Sequence, residues 1–156
     1  MPRVLLLVPA TSYRAGAFLD AARRLQLDVT VGSNHRQVLA ELTPGRSLYI
    51  EFHDTSAALQ QILSHCRDYP IVAVVGTDDD TTGLAARAGQ ALELPHNDIT
   101  AVQHTCDKFE FRQMIARAEL NCPRFKRLAL SVDPALVAAT IPYPCVLKPL
   151  DLSGSR

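Results

Sequence analysis

The C-terminal stretch of the sequence carries residues suited to binding phosphate. Residues 143–156 read YPCVLKPLDLSGSR. Lys148 ends an apolar run, where an ammonium group is costly unless an anion meets it. Ser153, Gly154 and Ser155 follow, and the main-chain N–H groups and hydroxyls of such small residues can approach phosphate oxygens closely. The stretch indicates a phosphate site, although a plain strand end followed by a surface turn would show the same residues.

Two loops in the first half of the chain offer further candidates. PATSYRAG at 9–16 and GTDDDTTG at 76–83 each follow an apolar run and precede a predicted helix. The first main-chain N–H groups of a helix attract anions, and an arginine can hold a carboxylate or phosphate through two parallel hydrogen bonds. We therefore predict that these loops bind substrate through Thr11, Arg14, Thr77 and Asp78.

The same loops also have a purely structural interpretation. An arginine in the first turn of a helix is commonly solvated, and Asp78, Asp79 and Asp80 are favoured types for capping a helix and lining its first turn. Neither loop contains the G-x-G-x-x-G dinucleotide fingerprint or the G-x-x-x-x-G-K-[ST] phosphate loop. The loops alone name no function, and we assign no catalytic residue.

Cysteine spacing and charge exclude several classes of protein. The four cysteines form no C-x-x-C pair, and no histidine completes a zinc spacing, so no metal ligand is predicted. Sixteen basic residues balance sixteen acidic ones, which supplies no electrostatic footprint for nucleic acid or an anionic membrane. The first apolar run, VLLLV before Pro9, is too short for a signal peptide. We expect a cytoplasmic protein with reduced thiols.

The elements that would position these residues alternate along the first hundred positions. Apolar runs predict strands at 3–8, 27–33, 47–52 and 71–77, and helical spacings predict helices at 14–25, 35–42, 55–67 and 81–92. Continuous apolar runs are typical of strands buried on both faces. The alternation predicts an α/β fold, a Rossmann-like open and mostly parallel sheet with helices on both faces. Ligands bind outside the carboxyl ends of such strands, where both loops lie.

From about residue 96 the pattern changes. A short helix capped near Asn97 precedes a longer one, and the remaining prediction is strands at 125–130 and 144–149 around a helix at 134–139. These last elements are too few to bury a core of their own. The chain should therefore contain a Rossmann-like domain and an incomplete α+β subdomain, with predicted bounds of 1–105 for the domain, 106–121 for a linking helix and 122–156 for the subdomain.

Two segments carry a family resemblance. DKFEFRQMIARAELNCP at 107–123, followed by residues 143–156, resembles the ATP-grasp superfamily of carboxylate–amine ligases. In that superfamily a Rossmann-like pre-ATP-grasp domain precedes the nucleotide-binding domain. There, a strand ending in lysine leads into a glycine-rich loop that closes over the triphosphate. The specific part of the resemblance is the order of Lys108, Lys148 and the loop that begins at Ser153.

The resemblance implies a reaction and its cofactors. ATP and Mg²⁺ would serve to activate a small carboxylate as an acyl phosphate, which an amine or a thiol then attacks. Lys108 and Lys148 would contact the ATP phosphates, and Ser153, Gly154 and Ser155 would begin the covering loop. The superfamily's magnesium ligands lie downstream of these motifs. We therefore expect this chain to be the inactive N-terminal portion of a larger ligase.

Three positions depart from the superfamily pattern. Gln26, Glu93 and Glu119 each follow a predicted helix, at a place where the superfamily usually has glycine. A residue with a side chain costs about 1 kcal/mol in the left-handed conformation that commonly ends a helix. Either these residues accept that cost or the helices end differently.

Two other classes remain open from the sequence. A response-regulator receiver domain also places aspartates at strand ends and carries a Lys-Pro pair after its last strand, as in Lys148-Pro149. A non-catalytic α/β domain could instead bind a small anion through Arg14 and the helix N-termini. Exposed strand edges in an unfinished subdomain would also allow two chains to pair, so a homodimer is a further alternative.

Overall fold

The computed structural model describes residues 1–36 and 42–151. These residues contain four strands and six helices, in the order β1 (Arg3–Leu7), α1 (Ala15–Arg24), β2 (Asp28–Ser33), β3 (Ser47–Tyr49), α2 (Thr55–Asp68), β4 (Ala73–Gly76), α3 (Asp79–Ala91), α4 (Ile99–Cys106), α5 (Lys108–Arg117) and α6 (Pro134–Ala138). The helix predicted at 35–42 falls largely outside the described residues. The chain divides into two compact units, Met1–Val102 and Gln103–Arg156, and the division lies within α4.

The first unit contains a four-stranded parallel sheet in the order β3-β2-β1-β4. Val4 of β1 aligns with Val29 of β2 and with Ala73 of β4, so β1 is hydrogen-bonded on both sides. Every described pairing is parallel. The predicted Rossmann-like α/β fold is confirmed, although β3 ends at Tyr49 rather than at 52.

The alternation of side chains along β1 builds a core on each face of the sheet. Leu5 and Leu7 are fully buried and face α2 and α3, where they pack with Ala58, Ile62 and Ala88. Val4, Leu6 and Val8 point to the opposite face and pack against Phe18 and Leu19 of α1. Successive residues of a strand point to opposite faces, so a continuous apolar run fills both cores.

Aspartate side chains cap the N-termini of several helices. The Asp54 side chain accepts from the N–H of Ala57 at 2.9 Å and starts α2, and the Asp107 side chain accepts from the N–H groups of Phe109 and Glu110 to start α5. The first turn of α4 is closed by Asp98, whose Oδ1 accepts from the N–H of Ala101 at 2.8 Å. Asp98 therefore takes the place predicted for Asn97, because its carboxylate reaches the free N–H.

Three helices end in a residue with a left-handed backbone that is not glycine. The φ angles are 54° at Gln26, 55° at Glu93 and 55° at Glu119. Each of these residues donates its N–H to the carbonyl three positions earlier, at 3.1 Å. The next residue donates to the carbonyl five positions earlier, at 2.9 to 3.1 Å. This is the Schellman arrangement, so the three helices keep the glycine-type ending without the glycine.

The second unit consists of helices and extended segments. Residues 120–129 and 145–149 form no strand, and the described part of this unit contains no strand with which they could pair. The strands predicted at 125–130 and 144–149 are therefore wrong for the described chain. An extended apolar segment becomes a strand only when a neighbour completes its hydrogen bonds, and periodicity alone cannot supply that neighbour.

In the part of the chain that the structure describes, no helix is both long enough and apolar enough to cross a membrane.

Candidate functional site

Both predicted substrate loops leave the same edge of the first unit's sheet. Leu7 of β1 lies in register with Gly76 of β4, so the chain turns out of the two strands at adjacent points. Close contact is required at Gly76, since a Cβ there would lie 2.9 Å from the main chain of Thr81. The carboxyl ends of parallel strands are where open α/β sheets bind ligands. The topology therefore brings the two loops together.

The Thr77 side chain is buried and hydrogen-bonded to other residues of the first unit. It is 2% exposed, and its hydroxyl lies 3.1 Å from the carbonyl oxygen of Leu7 and 3.0 Å from Asp78 Oδ2. Its main-chain N–H also donates to the Leu7 carbonyl, at 3.1 Å. These bonds tie the end of β4 to the end of β1. Thr77 thereby fixes the position of the loops, and its hydroxyl does not face solvent.

Asp78 combines helix capping with electrostatics. Its main-chain N–H lies 3.4 Å from the Thr81 hydroxyl, and its carbonyl accepts from that hydroxyl at 2.9 Å and from the Thr81 N–H at 3.0 Å. Asp79 and Asp80 follow in the first turn of α3, where acidic side chains interact favourably with the positive end of the helix dipole. Asp78 is thus the N-cap residue of α3, and Asp79 and Asp80 line its first turn, as the structural interpretation of the sequence expected.

Arg14 lies at the start of α1 with its guanidinium against Tyr13. Its Nε donates to the Tyr13 hydroxyl at 3.3 Å, and its Cζ lies 5.5 Å from the centre of the Tyr13 ring. The hydrogen bond with Tyr13 raises the pKa of Arg14, and the carboxylates of Asp78 and Asp79 act in the same direction. Arg14 is thus a solvent-accessible cation electrostatically coupled to the second loop.

Thr11 is exposed in the first loop, and a residue absent from our predictions holds that loop in place. Asn34, directly after β2, accepts the N–H of Ala10 on its side-chain oxygen at 2.9 Å. Asparagine just beyond a strand is the available sequence signal, because its short amide can reach main-chain groups of a neighbouring turn. The ends of β1, β2 and β4 therefore converge around residues 9–16.

The adjacent strand ends add a second aromatic–cation contact that the sequence analysis missed. The Arg36 guanidinium carbon lies 5.0 Å from the centre of the Tyr49 ring, and the Tyr49 hydroxyl donates to Glu51 Oε2 at 3.2 Å. Arg36 follows β2 and Tyr49 ends β3. The carboxyl edge of the sheet thus presents cations, carboxylates and phenols together, which suits a small polar ligand.

In the second unit, Lys108 contacts the segment that carries Lys148. The main-chain N–H of Lys108 lies 3.0 Å from the carbonyl oxygen of Leu150, and its Nζ lies 3.2 Å from the same oxygen. Leu150 is two residues beyond Lys148. The fold therefore brings the segment that carries Lys148 to Lys108, which lies forty positions earlier in the sequence.

The environment of Lys148 is more exposed than the sequence suggested. The sequence suggested a lysine at the end of a buried strand, but residues 145–149 are exposed and Lys148 is exposed with them. Burial therefore does not require an anion at Lys148, contrary to the expectation from the sequence. The exposed Lys148 side chain is accessible to a ligand from solvent. Ser153, Gly154 and Ser155 lie outside the described residues.

An aromatic cluster holds the segment before α6 against the first turn of α5. The rings of Phe109 and Phe125 meet edge to face with centroids 5.6 Å apart, and the Arg127 guanidinium carbon lies 5.8 Å from the centre of the Phe109 ring. Such contacts each contribute about 0.5 to 1 kcal/mol. Phe109 follows Lys108 directly, so the cluster adds basic groups to the same end of α5.

The donor set for a metal is lacking in the described residues. Over 1–36 and 42–151, no group of three or more histidine, cysteine, aspartate or glutamate side chains is arranged to hold a metal ion. We assign no described residue to Mg²⁺.

Comparison with known proteins identifies the family. Residues 19–96, half of the 156-residue chain, match the ATP-grasp N-terminal domain. The uncharacterized protein y4rH of Sinorhizobium fredii is 24% identical over 159 residues, covering 100% of this chain and 33% of its own length. The chain thus spans about a third of the curated relative that it matches.

Two solved structures share the fold. The L-amino acid ligase from Bacillus licheniformis has a TM-score of 0.68 at 20% identity, over 83% of this chain and 35% of its own. Phosphoribosylglycinamide synthetase from Anaerococcus prevotii has a TM-score of 0.57 at 13% identity, over 77% and 30%. With half of its residues matching the family and the parallel sheet in place, the chain belongs to the ATP-grasp N-terminal domain family.

Proposed function

We propose that the protein containing this chain is an ATP-dependent ligase that joins a small carboxylate to an amine or a thiol through an acyl phosphate. The observation that carries the proposal is the contact between Lys108 and Leu150 in the second unit, because it joins the start of α5 to the segment that carries Lys148. Family membership and the ligase relatives support the same class. The y4rH relative is about three times as long as this chain, and the activity is proposed for the whole protein.

The two lysines would hold the phosphates of ATP. ATP, when bound, supplies the phosphoryl group that activates the carboxylate. The Lys148 side chain is exposed and Lys108 is half-buried, and together their ammonium groups would supply two positive charges to the phosphates. Positive charge fixed near a transferring phosphoryl group stabilises the negative charge that its oxygens carry. Ser153, Gly154 and Ser155 would extend this site through their N–H groups.

The first unit would bind the acceptor substrate at the carboxyl edge of its sheet. Arg14 supplies an accessible guanidinium that can hold a carboxylate through two hydrogen bonds. The carboxylates of Asp78 and Asp79 raise the pKa of Arg14, and we propose that they bind an amino group on the same molecule. Thr11 lines the loop, and Thr77 sets its position from within the fold.

We propose Mg²⁺ as a cofactor of the whole protein on the basis of the family resemblance alone. The described residues provide no cluster that would hold it. We therefore place no step of the reaction on a metal ligand of this chain. We propose that the chain alone does not turn over ATP.

The rival classes find less support. A receiver domain places its first strand between the second and the third, whereas here β2 lies between β1 and β3. The family match also assigns the chain to the ATP-grasp N-terminal domain family rather than to the receiver domains. A non-catalytic domain that binds an anion through Arg14 and the helix N-termini would leave the contact between Lys108 and Leu150 without a role. Pairing of two chains remains a prediction.

The proposal is tested by changing Lys148→Ala in the full-length protein. We expect carboxylate-dependent ATP hydrolysis to fall at least about a hundredfold, the typical loss when one electrostatic contact to a reacting group is removed. Lys126→Ala is the matched control, because Lys126 is an exposed lysine of the same unit and should leave activity unchanged. Hydroxylamine trapping of the activated carboxylate reports the acyl phosphate.

Two outcomes would contradict the proposal. Retained ATP turnover in the Lys148→Ala protein would remove this lysine from the nucleotide site. Carboxylate-dependent ATP hydrolysis without any hydroxamate would exclude the acyl phosphate while leaving ATP binding in place.

A further inference from the structure

Lys108 makes a contact that phosphate binding does not require. Its main-chain N–H and its ammonium converge on one acceptor, the carbonyl oxygen of Leu150, at 3.0 and 3.2 Å. The N–H belongs to the first residue of α5, where helical N–H groups have no acceptor within the helix. The Leu150 carbonyl supplies that acceptor across 42 positions of sequence. The Leu150 carbonyl oxygen therefore ties the segment after Lys148 to the start of α5.

We propose that Lys108 is a positioning residue for Lys148: it latches residues 148–151 to the N-terminus of α5 before any nucleotide binds. The inference rests on the proposed function for its purpose, because a latched segment presents the Lys148 ammonium in one place. Residues 145–149 make no strand pairing in the described chain, so sheet hydrogen bonds do not hold them. The contact with Lys108 supplies the anchor instead.

The two halves of the latch respond to different changes. The main-chain half depends on the position of α5, which Asp107 fixes by accepting from the N–H groups of Phe109 and Glu110 at 2.7 and 3.0 Å. The ammonium half depends on the Lys108 side chain alone. A hydrogen bond from a charged donor is stronger than one from a neutral amide, so loss of the ammonium should free the segment even though the N–H remains.

The latch is tested in the 156-residue chain without nucleotide, by amide hydrogen exchange measured with NMR. We expect Lys108→Met to speed exchange of the residue 108 amide on the order of tenfold, and to increase the mobility of residues 150 and 151. Lys108→Arg should restore much of the protection, because its guanidinium also donates to a carbonyl. Lys126→Met is the control and should leave these amides unchanged.

Unchanged exchange at residue 108 in the Lys108→Met chain would overturn the latch, even if the same variant of the full-length protein loses ATP binding. Conversely, faster exchange in a protein that proves unable to bind ATP would retain the latch and refute the proposed function. Slow exchange at α3 core amides such as Leu84, in unit one, verifies in the same spectra that each variant is folded.

Discussion

The three left-handed helix ends show how single residues are strained while their hydrogen bonds are kept. Gln26, Glu93 and Glu119 have nearly the same φ, between 54° and 55°, and the same pair of hydrogen bonds. The apolar residue after each one, Leu27, Leu94 or Leu120, donates the outer bond back to its helix. The helix endings therefore depend on main-chain geometry, and the side chains at these three positions contribute strain.

Replacing Glu93 by glycine should stabilise the first unit. Glycine adopts the left-handed conformation without steric cost, but it also gains freedom in the unfolded chain, so the expected net gain is about 0.5 to 1 kcal/mol. Urea unfolding followed by circular dichroism measures it. Gln90→Gly is the matched control: Gln90 lies within α3, and glycine there should cost about 0.5 to 1 kcal/mol. Equal destabilisation by both variants would contradict the proposed strain.

At the scale of elements, the contact between the ends of β1 and β4 decides whether the loops can form a site. Two bonds run from Thr77 to the Leu7 carbonyl, one from the hydroxyl and one from the N–H. Gly76 allows α3 to begin directly against the strand, with Thr81 at 2.9 Å from the position of an added Cβ. This junction sets where Arg14 and Asp78 lie relative to each other.

Thr77→Val should loosen that junction. The isosteric methyl group removes the buried hydroxyl and its bonds to Leu7 and Asp78, which should cost about 1 to 2 kcal/mol. Thermal unfolding measures the loss. Thr140→Val removes an exposed hydroxyl that donates to the Val137 carbonyl at 2.9 Å, and should change stability by less than about 0.5 kcal/mol. A Thr77→Val chain as stable as the parent would show that the hydroxyl does not hold the strand ends together.

At the scale of the whole molecule, the two units differ in how much they bury. The first unit contains fully buried side chains on β1, α2 and α3, such as Leu5, Ile62 and Ala88. In the second unit, helices α5 and α6 have no buried residue. Large apolar side chains are also exposed there, including Leu130, Val146 and Leu147. Local stability follows buried apolar contact, so the units should open at different free energies.

Limited digestion with trypsin tests this difference. We expect the first cuts after Arg112, Arg117, Arg124 or Arg127 of the second unit, which leaves a resistant product that retains residues 1–102. Two exposed arginines within helices of the first unit, Arg67 on α2 and Arg87 on α3, provide the internal control. Mass spectrometry identifies the products. Early cleavage at Arg67 or Arg87 would contradict the order of stability.

Much of the first unit was predictable because its signals are local. Apolar runs and helical spacings identified β1, β2, β4 and the helices around them, and the parallel sheet followed from their alternation. The sequence left open whether Gln26, Glu93 and Glu119 take the left-handed ending or the helices end differently, and the structure shows the left-handed ending at all three. The ATP-grasp resemblance also came from the sequence, through the Asp107-Lys108 pair and Lys148, and the family is confirmed.

Tertiary structure alone decided the features that depend on distant partners. The burial of Thr77, the support of the first loop by Asn34 and the bond from Lys108 to Leu150 join residues 70, 24 and 42 positions apart. For the same reason, the apolar segments at 125–130 and 144–149 were wrongly predicted as strands. Periodicity reports which face of a segment is apolar, whereas a strand or a binding site exists only where another part of the chain arrives to complete its hydrogen bonds.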